Sequence, residues 1–161
     1  MVEISITRMA RVAAYPAREE ICTAIELNGL NKTAVKYSKS KTWYDFEQDV
    51  MAVHIKYGWK ILNQAVSGKG DGGIDTLAQK NTPIGAQYIL VQSKKWSAPV
   101  GPSVVREMIG SLEDFKKEQS VNAQAAIYTT SFFTSEAIQL ASRHAIELID
   151  GDYWSTLVVD T

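Results

Sequence analysis

Three side chains suited to binding a metal ion and a phosphate lie close together along the chain: the carboxylate of Asp75, the amide of Gln92 and the ammonium of Lys94. Gln92 and Lys94 are two residues apart, so on a β-strand they point to the same face. Asp75 closes the run Gly70-Asp71-Gly72-Gly73-Ile74-Asp75, and Asn81-Thr82-Pro83-Ile84-Gly85 between the two halves has the composition of a turn. A hairpin turning about Pro83 and Ile84 pairs positions whose numbers sum to 167, and Asp75 with Gln92 is such a pair. Their Cβ atoms would then lie about 5 Å apart, with Lys94 one step along the same face. A carboxylate oxygen, an amide oxygen and an ammonium group gathered in this way suit a hard cation beside an anionic substrate.

Several elements must hold these residues in place. Thr42-Trp43-Tyr44-Asp45 has the spacing of a capping box. Trp43, Phe46, Val50, Val53 and Tyr57 then recur at steps of three and four, which predicts a helix that ends at Gly58 and packs this stripe on a sheet. Glu47 sits at the stripe's edge, and His54, one face over, reads as a satisfied or exposed histidine rather than a ligand. Trp59–Val66 reads as a strand. The glycine-rich stretch from Ser67 to Gly73 is a bend that re-aims Asp75, with Asp71 a turn-former. No Gly-Lys-Ser/Thr follows it, so it is not a Walker-type phosphate loop. Tyr88–Lys94 is apolar on both faces, as a central strand covered by helices should be. Ser103–Lys117 predicts an amphipathic helix with Val105, Met108, Ile109, Leu112 and Phe115 inward. Ala123–Tyr128 predicts a strand, and a hydroxyl-rich turn leads into a helix from Ser135. Ile146–Gly151 gives a last short strand and turn.

Gly-Asp-Gly-Gly-Ile-Asp, a hairpin and then Gln92-Ser93-Lys94 resemble the Mrr-type restriction endonuclease domain. That group lies within the PD-(D/E)XK nucleases, in the branch where Gln replaces the acidic residue. Three further segments share the resemblance: Trp43-x-x-Phe46-Glu47, the stretch Val100-Gly101 to Val105-Arg106 to Gly110, and Thr129-Thr130-Ser131-x-Phe133-Thr134. It covers roughly Thr42 to Leu157, so residues 1–41 form an N-terminal extension and 42–161 the nuclease-like domain.

The resemblance implies a three-layer α/β/α fold with a central mixed sheet. It also implies a Mg²⁺-dependent DNA endonuclease of restriction or defence type, with Mn²⁺ as a substitute. Asp75, Gln92 and the backbone carbonyl of Ser93 would hold the ion, Lys94 would position or deprotonate the attacking water, and Glu47 would point to the site from the first helix. Gln in place of a carboxylate removes one negative charge beside the cation, which gives Glu47 more weight. Lys69, Lys95 and Arg106 are candidates for phosphate contact. The implied partner is double-stranded DNA, including modified DNA, cut by a homodimer. Two rival readings keep the same fold: a DNA-binding or assembly module that does not cut, and a structure-selective nuclease such as a junction resolvase.

Composition is compatible with this and constrains it. The 161 residues are 45% hydrophobic and 22% charged, ordinary values for one globular domain. No apolar run approaches a membrane span, and Cys22 is the only cysteine, so a reducing cytoplasm is the expected compartment. A net charge of −1 means that DNA affinity must come from a local patch rather than from the overall field. Lys32, Lys36, Lys39 and Lys41 fall in a stretch without acidic residues, a solvated linker or a phosphate-contacting arm. Val2, Ile4 and Ile6 alternate as in a short strand, and Ala17–Leu27 is rich in helix formers; neither carries recognisable chemistry.

Overall fold

The computed structural model describes residues 42–64 and 73–159. The early strand and helix, Cys22, the lysine-rich stretch, Lys69 and Asp71 lie outside the described residues.

Helix α1 spans Trp43–Lys56, and the capping box is formed: the Asp45 amide donates to Thr42 Oγ1 at 3.1 Å while the Thr42 amide donates to Asp45 Oδ2 at 2.8 Å. Two of the four amides left free at a helix start are thereby satisfied. The helix stops at Tyr57, and Gly58 turns the chain at φ +84°. Lys80 closes this end from across the sheet, donating to the Tyr57 carbonyl at 2.7 Å, where a cation also meets the negative end of the helix dipole.

Strands β1 (Lys60–Gln64), β2 (Thr76–Thr82) and β3 (Gly85–Lys94) follow. Then come α2 (Pro102–Gln119), β4 (Ala123–Thr129), α3 (Ser135–Arg143), β5 (Ile146–Ile149) and α4 (Gly151–Val159). The sheet order is β1-β2-β3-β4-β5; the first three strands are antiparallel, and β3, β4 and β5 are parallel. The β2–β3 register runs from Thr82 opposite Gly85 to Thr76 opposite Val91, the pairing expected for a turn at Pro83-Ile84.

Alternation along β3 splits the core in two. Ile89 and Val91 pack with Phe46, Val50 and Val53 of α1 and Trp154 of α4. Leu90 packs on the other side with Val104, Val105, Met108 and Leu112 of α2 and Ala137 and Ala141 of α3. The result is the three-layer α/β/α arrangement around a mixed sheet, as in restriction-endonuclease-like folds. Each fully buried Val, Leu, Ile or Phe contributes roughly 1.5–3 kcal/mol.

Two expectations need correction. Trp43 is 45% exposed, so the buried stripe of α1 begins only at Phe46. The chain also does not end in a strand and turn: Asp150 accepts from the Tyr153 amide at 2.9 Å and starts α4, which carries the fully buried Trp154. Gly151 is required at this junction, because a Cβ there would collide with the Thr130 backbone.

Candidate functional site

Strand β2 starts at Thr76, and its approach bends at Gly73, φ +76°. The Asp75 amide donates to the Val91 carbonyl at 2.9 Å, continuing the ladder by one bond. Beyond it, the Ser93 amide donates to Asp75 Oδ2 at 2.5 Å, so a carboxylate takes over where strand pairing ends. This fixes Asp75 at the end of β3 that carries Lys94.

Lys94 is half-buried, and its Nζ lies 5.4 Å from the centre of the Trp96 ring, a cation–π arrangement. Glu47, on α1, is only 7% exposed. Its carboxyl is pushed up from 4.5 to about 7, first by burial and then by the negative charge of Asp75, with Lys94 pulling the other way. The Asp75 carboxyl is also raised, by burial first; the Ser93 amide and the Lys94 charge oppose that rise. Glu47, Asp75 and Lys94, from three different elements, therefore sit within one another's electrostatic reach.

Gln92 occupies the neighbouring position on β3 and is 1% exposed. Among the described residues neither its Nε2 nor its Oε1 has a hydrogen-bond partner, although leaving such an atom unpaired in a protein interior costs roughly 1–3 kcal/mol. A Cβ on Gly73 would collide with Gln92 Nε2, and Glu107 Oε2 of α2 lies 3.6 Å from the same point. The glycine thus makes room for the amide. Strand alternation puts Gln92 and Lys94 with Leu90, on the side of α2 and α3, while Glu47, on α1, comes close enough to Asp75 and Lys94 at this end of the strands to feel their charges.

These donors fit a hard divalent ion. An unpartnered buried amide oxygen and the carboxylates of Asp75 and Glu47 supply only oxygen, and Mg²⁺ is satisfied by one or two protein oxygens with water completing the shell. No cluster of three or more His, Cys, Asp or Glu side chains occurs among the described residues.

Other predicted residues fall as follows. Lys95 is half-buried just past the end of β3, and Arg106 is exposed on α2. Ser93 is buried, with its amide committed to Asp75. His54 is buried as well: Nδ1 lies 2.9 Å from the Val50 carbonyl, the ring meets Trp59 and Tyr128 edge-on, and it belongs to the core. Sequence reasoning passed over Trp96 and Glu107. The Lys94-x-Trp96 spacing was the available signal for Trp96, since residues two apart in extended chain share a side.

The Mrr catalytic family model, described as restriction endonuclease, matches residues 38–158. The chain belongs to this family. The type IV methyl-directed restriction enzyme EcoKMrr of Escherichia coli strain K12 is 34% identical over 98 residues. That alignment covers 60% of this chain and 30% of EcoKMrr, so the chain spans under a third of that relative's length. Among solved structures, the DNA modification-dependent restriction endonuclease AspBHI matches with TM-score 0.51 and 16% identity, covering 91% of this chain and 37% of that one. The MspJI restriction endonuclease in complex with a 27-mer oligonucleotide gives TM-score 0.51 and 16% identity over 89% and 32% of the two chains. A repair endonuclease from Pyrococcus abyssi gives the same score and identity over 68% and 47%. At such identity these neighbours speak for the fold, and the fold is that of restriction endonucleases. No helix among the described residues is long and apolar enough to cross a membrane.

Proposed function

We propose that this domain is the cutting module of a Mg²⁺-dependent DNA endonuclease of the restriction or defence type, hydrolysing phosphodiesters in double-stranded DNA. One observation carries the reading. Within a chain of this family, the Ser93 amide anchors the Asp75 carboxylate at the end of β3 that carries Lys94, beside the buried Gln92 amide, which has no hydrogen-bond partner among the described residues. Asp75 and Gln92 Oε1, with the Ser93 carbonyl, would hold the ion, and Glu47 would contribute through water. A bound ion would polarise a phosphoryl oxygen and stabilise the charge that develops there.

The chain's own groups do the rest. Lys94 orients the attacking water and offsets the charge that builds on phosphorus as the new P–O bond forms and the old one breaks. Glu47, buried on α1 within reach of the charges of Asp75 and Lys94, is placed to take the proton from that water. Lys69, Lys95 and Arg106 are the proposed phosphate contacts, and they set register rather than sequence preference. Cutting both strands calls for two such sites, hence a homodimer. The methyl-directed activity named for EcoKMrr makes methylated DNA the first substrate to try.

The test is cleavage of methylated and unmethylated plasmid with Mg²⁺, and separately with Mn²⁺. Asp75→Ala and Lys94→Ala should each lower the rate roughly 10²–10³-fold, the usual loss for removing one electrostatic stabiliser. Unchanged cleavage by both variants would refute the assignment. DNA binding by the wild type with no strand scission under either metal would favour the non-cutting module.

A further inference from the structure

Two exposed aromatic side chains stand at the Lys94 end of the sheet: Trp96 is 44% exposed and Phe132 is 58% exposed. A lone exposed aromatic is ordinary, but these two are not independent of each other or of the site. Their loops are laced together. The Thr130 amide donates to the Lys94 carbonyl at 3.3 Å, Thr130 Oγ1 to the Trp96 carbonyl at 3.0 Å and Ser131 Oγ to the Ser97 carbonyl at 3.3 Å. The Val100 amide then donates to the Phe132 carbonyl at 2.8 Å, and the Thr134 amide to the Val100 carbonyl at 3.0 Å. The backbone that carries both rings is thus fixed, and the rings are held toward solvent. Trp96 is also tied to the site directly, through its 5.4 Å approach to Lys94 Nζ.

We propose that Trp96 and Phe132 form an aromatic rim that stacks on one unpaired nucleobase next to the phosphate held at Lys94. The domain would therefore prefer DNA in which a base at the cleavage point has left its stack. The proposal rests on the reading of Lys94 as a phosphate-side group. An ammonium and an indole this close together match the two parts of a single nucleotide, with the cation for its phosphate and the π-face for its base. Two lysines followed directly by an exposed indole (Lys94, Lys95, Trp96) suit nucleic acid better than an apolar protein surface, which would leave the lysines without partners. Stacking does not depend on base identity, so the rim selects DNA distortion rather than sequence.

The experiment measures binding of the full chain to a fluorescein-labelled duplex with one unpaired base and to its fully paired counterpart, with Ca²⁺ replacing Mg²⁺. Trp96→Ala should weaken binding to the unpaired-base duplex about tenfold or more, the scale of one lost base–aromatic stack. Trp96→Phe should keep most of the affinity, and Phe132→Ala should lose a smaller part. The paired duplex should be affected much less, and the slope of affinity against salt should not change, because no phosphate contact is removed.

Equal losses on the two duplexes, or a changed salt slope, would overturn the rim. Unchanged affinity with slower cleavage would also overturn it, by showing that Trp96 serves only Lys94. Both rings are at the surface and the variants should fold; if Trp96→Ala does not, Trp96→Phe and Phe132→Ala decide the matter. A wild-type chain that fails to cut plasmid with Mg²⁺ or Mn²⁺ sinks the nuclease reading instead, a result distinct from all of these.

Discussion

Helix α1 buries two titratable residues seven positions apart, and they have opposite fates. His54, near the C-terminal end, is 1% exposed and surrounded by Trp59, Tyr128 and a helix carbonyl. Burial pulls it down from 6.5 to about 4, with the Val50 carbonyl opposing, so it stays neutral and serves as a packed ring. Glu47, near the N-terminal end, is pushed up to about 7, first by burial and then by the charge of Asp75, with the Lys94 charge opposing. Burial alone therefore does not mark a functional group. The difference lies in what surrounds it: aromatic rings at one end of the helix, ionised neighbours at the other.

The comparison breaks most easily by mutation. Glu47→Gln should lower cleavage about tenfold to a hundredfold and leave the thermal midpoint unchanged or raised, since it removes a desolvated acid. His54→Ala should do the reverse. Losing a buried ring from the core should cost about 3 kcal/mol in urea unfolding while the folded fraction keeps its turnover. If both variants lose stability and neither loses activity, the two ends of α1 are alike after all.

The pH dependence of stability sharpens the contrast, because the two residues pull in opposite directions. Between about 4 and 6.5 the unfolded chain protonates its histidine and the folded chain does not, so His54 makes stability fall as pH drops, by up to about 1.4 kcal/mol per pH unit. Glu47 keeps its proton when folded and loses it when unfolded between 4.5 and about 7, so it makes stability fall as pH rises. In the shared window the two largely cancel. His54→Leu should tilt the profile downward with rising pH and Glu47→Gln should tilt it upward, as read by urea midpoints across pH 4–7. The smallest effect tests the helix end that carries Glu47: Thr42→Ala removes the cap and should cost about 1 kcal/mol, without altering the pH profile.

Much of this arrangement was legible in the sequence because its signals are local. The turn residues at Pro83 and Gly85 fixed a register that the sheet keeps through Thr76 and Val91. Thr42 and Asp45 announced the first helix, and the stripe of α2 was read correctly except for Val104, which is also buried. What escaped depends on contacts distant in sequence. Residues 151–159 are rich in β-branched side chains after a glycine and look like a tail; they are helical because Trp154 reaches a core of Phe46 and Tyr128, with ring centres at 5.3 and 5.6 Å. The chemical identity of Asp75, Gln92 and Lys94 was plain from their motif. That Gln92 would be sealed in with no partner among the described residues required the third dimension.

The β2–β3 hairpin has one more practical meaning. Its tip, where Ile84 is 89% exposed, is ten residues away from Lys94, roughly 33 Å at the rise of an extended chain. A dye, an affinity handle or a tether inserted there would stay well clear of Asp75 and Lys94, while remaining on the same ribbon that carries them.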